Sequence, residues 1–404
     1  MRELFPFVKL LLPHRLWAFW GTAAAIVTLL AGIGLLALSG WFLSATAVAG
    51  LTLAANIYFD IHTPSGGVRG FAMLRTAGRY AERVVSHETT LRLLSTLRVW
   101  LYQRIEPQAP ASLLRHRSGD LLNRIVTDID VLDTLFVRVL SPTVAAISVA
   151  VVVGGVLWWL APSLAVIFLL FFVAAGLLTP LLTERLGRRV GGEIQQQLAV
   201  LRTNLVEDLQ GAADLAVYGA EQRHRRKRLA ENDRLLDLQE KMAWISGGGI
   251  AATTLFSGLA ALSALYAAQP MAQSGRFSAP VLALITFGVL AAFEAVLPLP
   301  LAYQMLGRIR TAAERLLEVS EAEKTVDFPV TSAPLPAELS IRYQGVGFTY
   351  PGSSSKKDHG HVVTEIDLSV PVDSTVALVG PSGSGKTTLA HLLTRFWDPE
   401  EGRI

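Results

Sequence analysis

The sequence has no cysteine, which excludes disulfides and thiolate metal sites from this chain. Charge is scarce as well: Asp, Glu, Lys and Arg make up 17% of 404 residues, against 51% hydrophobic, and the mean hydropathy is +0.42. That balance is too apolar for a soluble globular protein of this length. Histidines number eight, and His14, His62, His116, His224, His359 and His361 show no metal-ligand spacing. The formal charge of +3 is modest and comes from arginines between apolar runs, so topology explains it and no nucleic-acid partner is implied.

What the sequence has is long apolar runs. Residues 17–43, 142–160, 163–182, 243–268 and 279–303 are each near or above the length that crosses a bilayer. The basic stretches, namely Arg2, Lys9 and Arg15, then 92–138 and 184–241, predict cytoplasmic placement by the positive-inside rule. Residues 380–388, GPSGSGKTT, form a P-loop near the C-terminal end, which needs cytoplasmic nucleotide. Five crossings would put the two ends on opposite sides, so a sixth is expected between Ala45 and Leu94. Arg75, Arg79, Arg83 and His87 recur there every four residues, along one side of a helix. Facing lipid at mid-bilayer, three arginines would cost roughly 8 to 10 kcal/mol, so the stripe must face protein or a wet cavity.

The first segment, MRELFPFVKLLLPHR, is amphipathic and basic and predicts an interfacial helix over residues 1–15. It lacks the cleavage site of a secretory signal. The six-helix domain then covers 16–320, with short outer connections at 161–163 and 269–278. Its long helical extensions into the cytoplasm cover about 95–139 and 183–242. A Pro-punctuated linker spans 321–336, and a nucleotide-binding domain starts at 337 with the strand-like runs LSIRY and GVGFTY.

Residues 380–388 read GPSGSGKTT, preceded by the strand-like run 375–379 and followed by the helix-like LAHLLTRF. Gly380, Gly383 and Gly385 let the backbone curl so that N–H groups, together with Pro381, Ser382 and Ser384, wrap phosphate oxygens. Lys386 places a cation against the β- and γ-phosphates, the Thr387 hydroxyl is a Mg²⁺ ligand, and Thr388 completes the motif. The cofactors implied are ATP and Mg²⁺. Glu294 lies in the last apolar run near Pro298 and Pro300. An intramembrane carboxylate is either a functional group of the cavity or the partner of an arginine on the second span, and both readings stay open.

Together, the six spans with long inner extensions, SGDLLNRIVTDIDVLD (118–133), LQGAADLAVYGAEQR (209–223), VGFTYPG and GPSGSGKTT resemble ATP-binding cassette exporter half-transporters. The implied fold is a mostly α membrane protein: a six-helix type IV exporter transmembrane domain followed by the start of an α/β P-loop nucleotide-binding domain. More closely, residues 32–50, 67–94, RHRSGDLLNRIVTDIDVLD and LLTRFWDPEEGRI resemble the C-type subunit of the bacterial heterodimeric cysteine/glutathione exporters needed for cytochrome bd assembly.

The resemblance implies an ATP-driven exporter in the bacterial inner membrane, with the N-terminus and nucleotide-binding domain cytoplasmic. A homologous D-type subunit is its implied partner and a small thiol its cargo. It makes Tyr350 the residue that stacks on adenine, and segments 111–120 and 211–221 the coupling helices. It makes His87 a haem b ligand with Arg83 at a propionate, and Arg75, Arg79, Arg83 and Glu294 the lining of the cargo cavity. No Q-loop, signature, Walker B pair or switch histidine follows the P-loop before Ile404. The resemblance therefore implies a part of a subunit of roughly 550 to 600 residues. An exporter of lipid or drug-like cargo, and a non-transporting P-loop membrane sensor, are the alternatives.

Overall fold

The computed structural model describes residues 5–10, 12–51, 59–108, 124–321, 326, 340–350 and 362–404. Helix α1 is short, Phe5–Lys9, and a 3-10 turn, Leu12–His14, leads into α2, Arg15–Ala49. The expected helix over 1–15 is thus two pieces. Pro13 removes a backbone donor and biases Leu12 away from helical backbone. His14 Nε2 sits 2.8 Å from Thr96 Oγ1, and the Arg92 guanidinium lies 4.4 Å from the Trp17 ring centroid, which fastens this entry segment to the next long helix.

That next helix is α3, His62–Ile105, and its 44 residues give about 66 Å of length. It begins within the stretch from Ala45 to Leu94 where a sixth crossing is expected. Its apolarity is too low for it to rank with the five helices long and apolar enough to cross a membrane, which lie within Phe5–Ala49, Val126–Leu160, Pro162–Gln210, Glu221–Gln273 and Pro280–Gln304. Asp60 caps α3: its carboxylate accepts from the backbone N–H of His62 at 2.8 Å and from the Thr63 hydroxyl, and these bonds hold its pKa below the ordinary value.

The second of the five apolar segments starts with a π-type turn, Arg124–Asp128, then α4, Ile129–Thr134, a second π-type turn, Leu135–Leu140, and α5, Ser141–Leu160. Only extended Ala161 separates α5 from α6, Pro162–Val173, and a third π-type turn, Ala174–Leu178, continues it into α7, Thr179–Gln210. A six-residue helix, α8, Ala212–Val217, precedes α9, Glu221–Gln273, whose 53 residues far exceed the roughly 20 a bilayer needs.

The last apolar segment is broken. Helix α10, Pro280–Ala292, ends in a 3-10 turn, Phe293–Ala295, before α11, Leu299–Gln304, and α12, Leu306–Ser320. Pro298 and Pro300 deny the donors that would carry one helix through.

The chain divides into two compact units, one of residues 1–97 and 128–314, the other of 98–127 and 315–404. In the first, Val149, Leu164, Phe168, Ile285, Val289 and Val296 are fully buried, and Phe168, Phe172 and Phe293 form an aromatic triangle with centroids 5.0 to 6.3 Å apart. Ala260, Ala264 and Ala268, all fully buried, make a small-residue seam on α9 where neighbouring helices approach closely. Large apolar side chains point outward instead, Trp159 at 85% exposure and Leu262 at 65%, as expected where the surrounding solvent is hydrocarbon.

The second unit contains a three-stranded antiparallel sheet in the order β2-β1-β3, formed by β1, Ile341–Phe348, β2, Val363–Val370, and β3, Glu401–Arg403. Residues from both runs, Ile341 to Phe348, therefore join into one strand. The run 375–379 is not a strand: it has no ladder partner among the described residues, and Val379 is 92% exposed. A lone apolar run takes strand form only when a neighbour supplies the hydrogen bonds. Gln108 Nε2 donates to Val319 O at 3.1 Å within this unit.

Candidate functional site

The P-loop is built by two glycines and one helix. Gly383 and Gly385 have φ of +86° and +85°, a backbone that side chains rarely adopt, and Gly385 caps α13, Lys386–Leu393. A Cβ on Gly385 would also come within 3.2 Å of the Val362 carbonyl. The loop thus leads into a helix N-terminus, where an anion is favoured. Lys386 Nζ donates to the carbonyls of Gly380 at 2.9 Å and Pro381 at 2.7 Å. Its ammonium therefore sits at the mouth of the loop. Thr387 is exposed, with its hydroxyl available to a cation, whereas Thr388 is buried.

Behind the loop, Tyr343, Val346, Phe348, Val363, Leu389, Leu392 and Trp397 form a core that joins β1 and β2 to α13. The Tyr343 hydroxyl donates to Leu389 O at 2.9 Å, and burial pushes its pKa up, so it remains a protonated donor. Tyr350 lies at the edge of this core, edge-on to Phe348 and Trp397, and its hydroxyl donates to Thr388 Oγ1 at 3.3 Å. The residue types and the fold of the loop fit a nucleoside triphosphate with its Mg²⁺.

The second site is a cavity of about 480 Å³ among the membrane helices. Arg79, Glu82, Arg83 and His87 come to it from α3, Thr28 from α2 and Glu294 from the break after α10. Arg75 Nη2 donates to both carboxylate oxygens of Glu294 at 3.0 Å, and Arg79 Nη2 donates to one of them at 3.3 Å. Glu294 is thus ion-paired with the arginines on the second long helix and also lines the cavity. Gly32 on α2 makes room, since a Cβ there would lie 3.3 Å from Arg75 Nε. Two arginines and two glutamates line the space, and Arg75 behind Glu294 leaves an excess of one positive charge, with histidine neutral. The wall is less cationic than the spacing of its arginines alone suggests.

Sequence reading missed Glu82 and a network at the far ends of α7 and α9. There Asp208 lies 2.7 Å from His224 Nδ1 and 3.0 Å from Arg228, whose Nη1 donates to Glu231 at 2.6 Å. Asn204 donates to Glu231 as well, at 3.1 and 3.2 Å. Only the Arg228 to Glu231 spacing was visible in sequence; the bonds from α7 to α9 leave no local signature. Helix α8 falls within the expected coupling segment 211–221, while segment 111–120 lies outside the described residues. No group of three or more metal-ligating side chains occurs among the described residues.

A multi-helix membrane domain joined to a P-loop domain defines a nucleotide-driven membrane protein. The comparisons give the family: the chain matches the ABC transporter transmembrane region over residues 22–293 and the ABC transporter domain over 363–404, and it belongs to the ABC transporters. It is similar to the glutathione/L-cysteine transport system ATP-binding/permease protein CydC of Escherichia coli K12, with 38% identity over the whole chain and 69% of that protein. The protein of the same description from Haemophilus influenzae is 34% identical over the same shares. The glutathione/L-cysteine transport system ATP-binding/permease protein CydD of Bacillus subtilis is 26% identical over 94% of this chain and 64% of the relative.

Proposed function

We propose that this chain is one subunit of an ATP-driven exporter that moves cysteine, glutathione or both from the cytoplasm to the periplasm across a bacterial inner membrane. The observation that carries the reading is the full-chain identity of 38% to a glutathione/L-cysteine transport protein. The D-type relative supports a heterodimer with a homologous partner. The polar lining of the cavity favours a small charged cargo over the lipids or drugs that an aromatic, apolar cavity would take.

In this mechanism, Lys386 and the loop N–H groups hold the triphosphate, Thr387 holds Mg²⁺ and Tyr350 lies against adenine. Binding and hydrolysis of ATP supply the driving free energy. Six crossings, α3 included, keep the N-terminus and the P-loop cytoplasmic. Arg79 and Arg83 offer the cargo carboxylates a cationic wall, while Glu294 holds Arg75 and Arg79 in place. Support of cytochrome bd assembly and of periplasmic redox balance belongs to the same reading.

Haem b is its further element. His87 and Arg83 are one helical turn apart and line the same cavity, so an imidazole and a guanidinium are available to one ligand there. The experiment for the reading as a whole is uptake of labelled glutathione and cysteine into inverted vesicles carrying the full-length subunit and its partner. ATP-dependent accumulation supports it, and its absence overturns it.

A further inference from the structure

Resting on the thiol-export reading, we propose that Glu82 and Arg83 together bind the α-amino-acid head of the cargo, Glu82 taking the ammonium and Arg83 the α-carboxylate. Four charged side chains line the cavity, and two of them are already committed to each other: Arg79 and Glu294 are joined at 3.3 Å, with Arg75 adding its two bonds from behind. Glu82 and Arg83 are different. Among the described residues neither has an ion pair or a hydrogen bond, yet both line the same cavity, and Glu82 is partly buried. Glu82 is half-buried and feels the charge of Arg79 and Arg83 without a direct contact to either, while Arg83 is exposed, so both groups keep donor or acceptor capacity that a ligand carrying opposite charges would use.

The shape of the charge decides the ligand class. A purely anionic cargo would gain from Arg83 but would be repelled by Glu82, and a purely cationic one would meet the reverse. A zwitterion meets both. The α-amino-acid head, an ammonium and a carboxylate on one carbon, is the group that free cysteine and the γ-glutamyl end of glutathione share. One pair of residues therefore serves two cargoes of different size, and the cavity of about 480 Å³ holds the rest of the larger one beyond the shared head. The excess positive charge from the Arg75, Glu294 and Arg79 group suits the additional glycyl carboxylate of glutathione.

The test is displacement of labelled glutathione from the full-length subunit assembled with its partner. A haem propionate would draw on the same guanidinium, so the complex is prepared free of haem. The competitors are glutathione, its analogue lacking the α-amino group, and its analogue with the α-carboxylate converted to a carboxamide. The wild type is expected to bind each analogue about tenfold or more weakly than glutathione, the change that one lost charge contact of about 1.4 kcal/mol produces. Glu82→Gln should remove the discrimination against the deamino analogue alone, and Arg83→Gln the discrimination against the carboxamide alone. That crossed pattern separates recognition from a general loss of folding, which would weaken all three ligands in parallel. Equal binding of glutathione and both analogues by the wild type would overturn the proposal while leaving thiol export standing. Unchanged discrimination in Glu82→Gln and Arg83→Gln would do the same. No glutathione binding by the wild type would overturn both readings together.

Discussion

Arg75 and Glu294, 219 positions apart in the chain, meet in a two-pronged contact in which one guanidinium nitrogen donates to both carboxylate oxygens at 3.0 Å. The contact ties the second long helix to the point where the last apolar segment breaks. Glu294 can occupy that point because Pro298 and Pro300 prevent a regular helix there, and the 3-10 turn aims its side chain into the domain. Both partners retain partial exposure, 30% and 38%, so the pair lies between a surface bridge and a buried one.

Breaking the pair should therefore be costly but not catastrophic. Arg75→Gln or Glu294→Gln is expected to destabilise the membrane domain by about 1 kcal/mol or somewhat more, with a favourable coupling between them in a double-mutant cycle. Denaturant unfolding of the purified complex measures it. Strict additivity of the two changes would show that the contact contributes nothing.

In the nucleotide-binding part, Tyr343→Phe removes the hydroxyl that donates to Leu389 O on the P-loop helix. The ring still fills the core, so the expected loss is about 1 kcal/mol from the missing hydrogen bond, without a cavity. A shift in nucleotide affinity larger than the stability change would mean that this hydroxyl does more than anchor the helix.

A sixth crossing makes a topological prediction that the absence of cysteine makes easy to test. Gly66→Cys, at an exposed position where a Cβ meets nothing within 4 Å, should react with an impermeant maleimide from the periplasmic side. Arg117→Cys, outside the described residues, should react only from the cytoplasmic side. Equal labelling of the two from outside would remove the crossing by α3.

For the haem element of the reading, His87→Ala should abolish the haem absorbance of the purified complex while nucleotide binding stays within about twofold, since the cavity and the P-loop are chemically separate. Arg83→Ala should weaken haem retention without abolishing it, because a guanidinium at a propionate would contribute less than a residue that would hold the iron. An unchanged spectrum in His87→Ala would make that histidine an ordinary polar side chain of the cavity wall.

Much of the fold was legible because the strongest signals are local. Runs of about 20 apolar residues, and glycines at fixed offsets before a lysine, need no tertiary information to be read. Long helices such as α9 showed in their three- and four-residue spacing. What sequence could not give depends on partners distant in the chain. The run 375–379 has strand composition yet finds no ladder, and the meeting of Arg75 with Glu294 spans 219 positions. Glu82 was passed over because a lone glutamate among arginines reads as surface charge balance. Only the cavity shows that it lines the same space as Arg83.

The central claim is ATP-driven thiol export, and the most direct measurement is accumulation of labelled glutathione and cysteine in inverted vesicles carrying the full-length heterodimer, with wild-type subunit or Lys386→Ala. The lysine contributes charge at the mouth of the phosphate loop and no core packing, so the variant should assemble normally. It should bind nucleotide about a hundredfold more weakly. Accumulation that requires ATP in the wild type and falls to background in Lys386→Ala is the expected result. Undiminished accumulation in the variant, or none in the wild type under saturating ATP, would contradict the account.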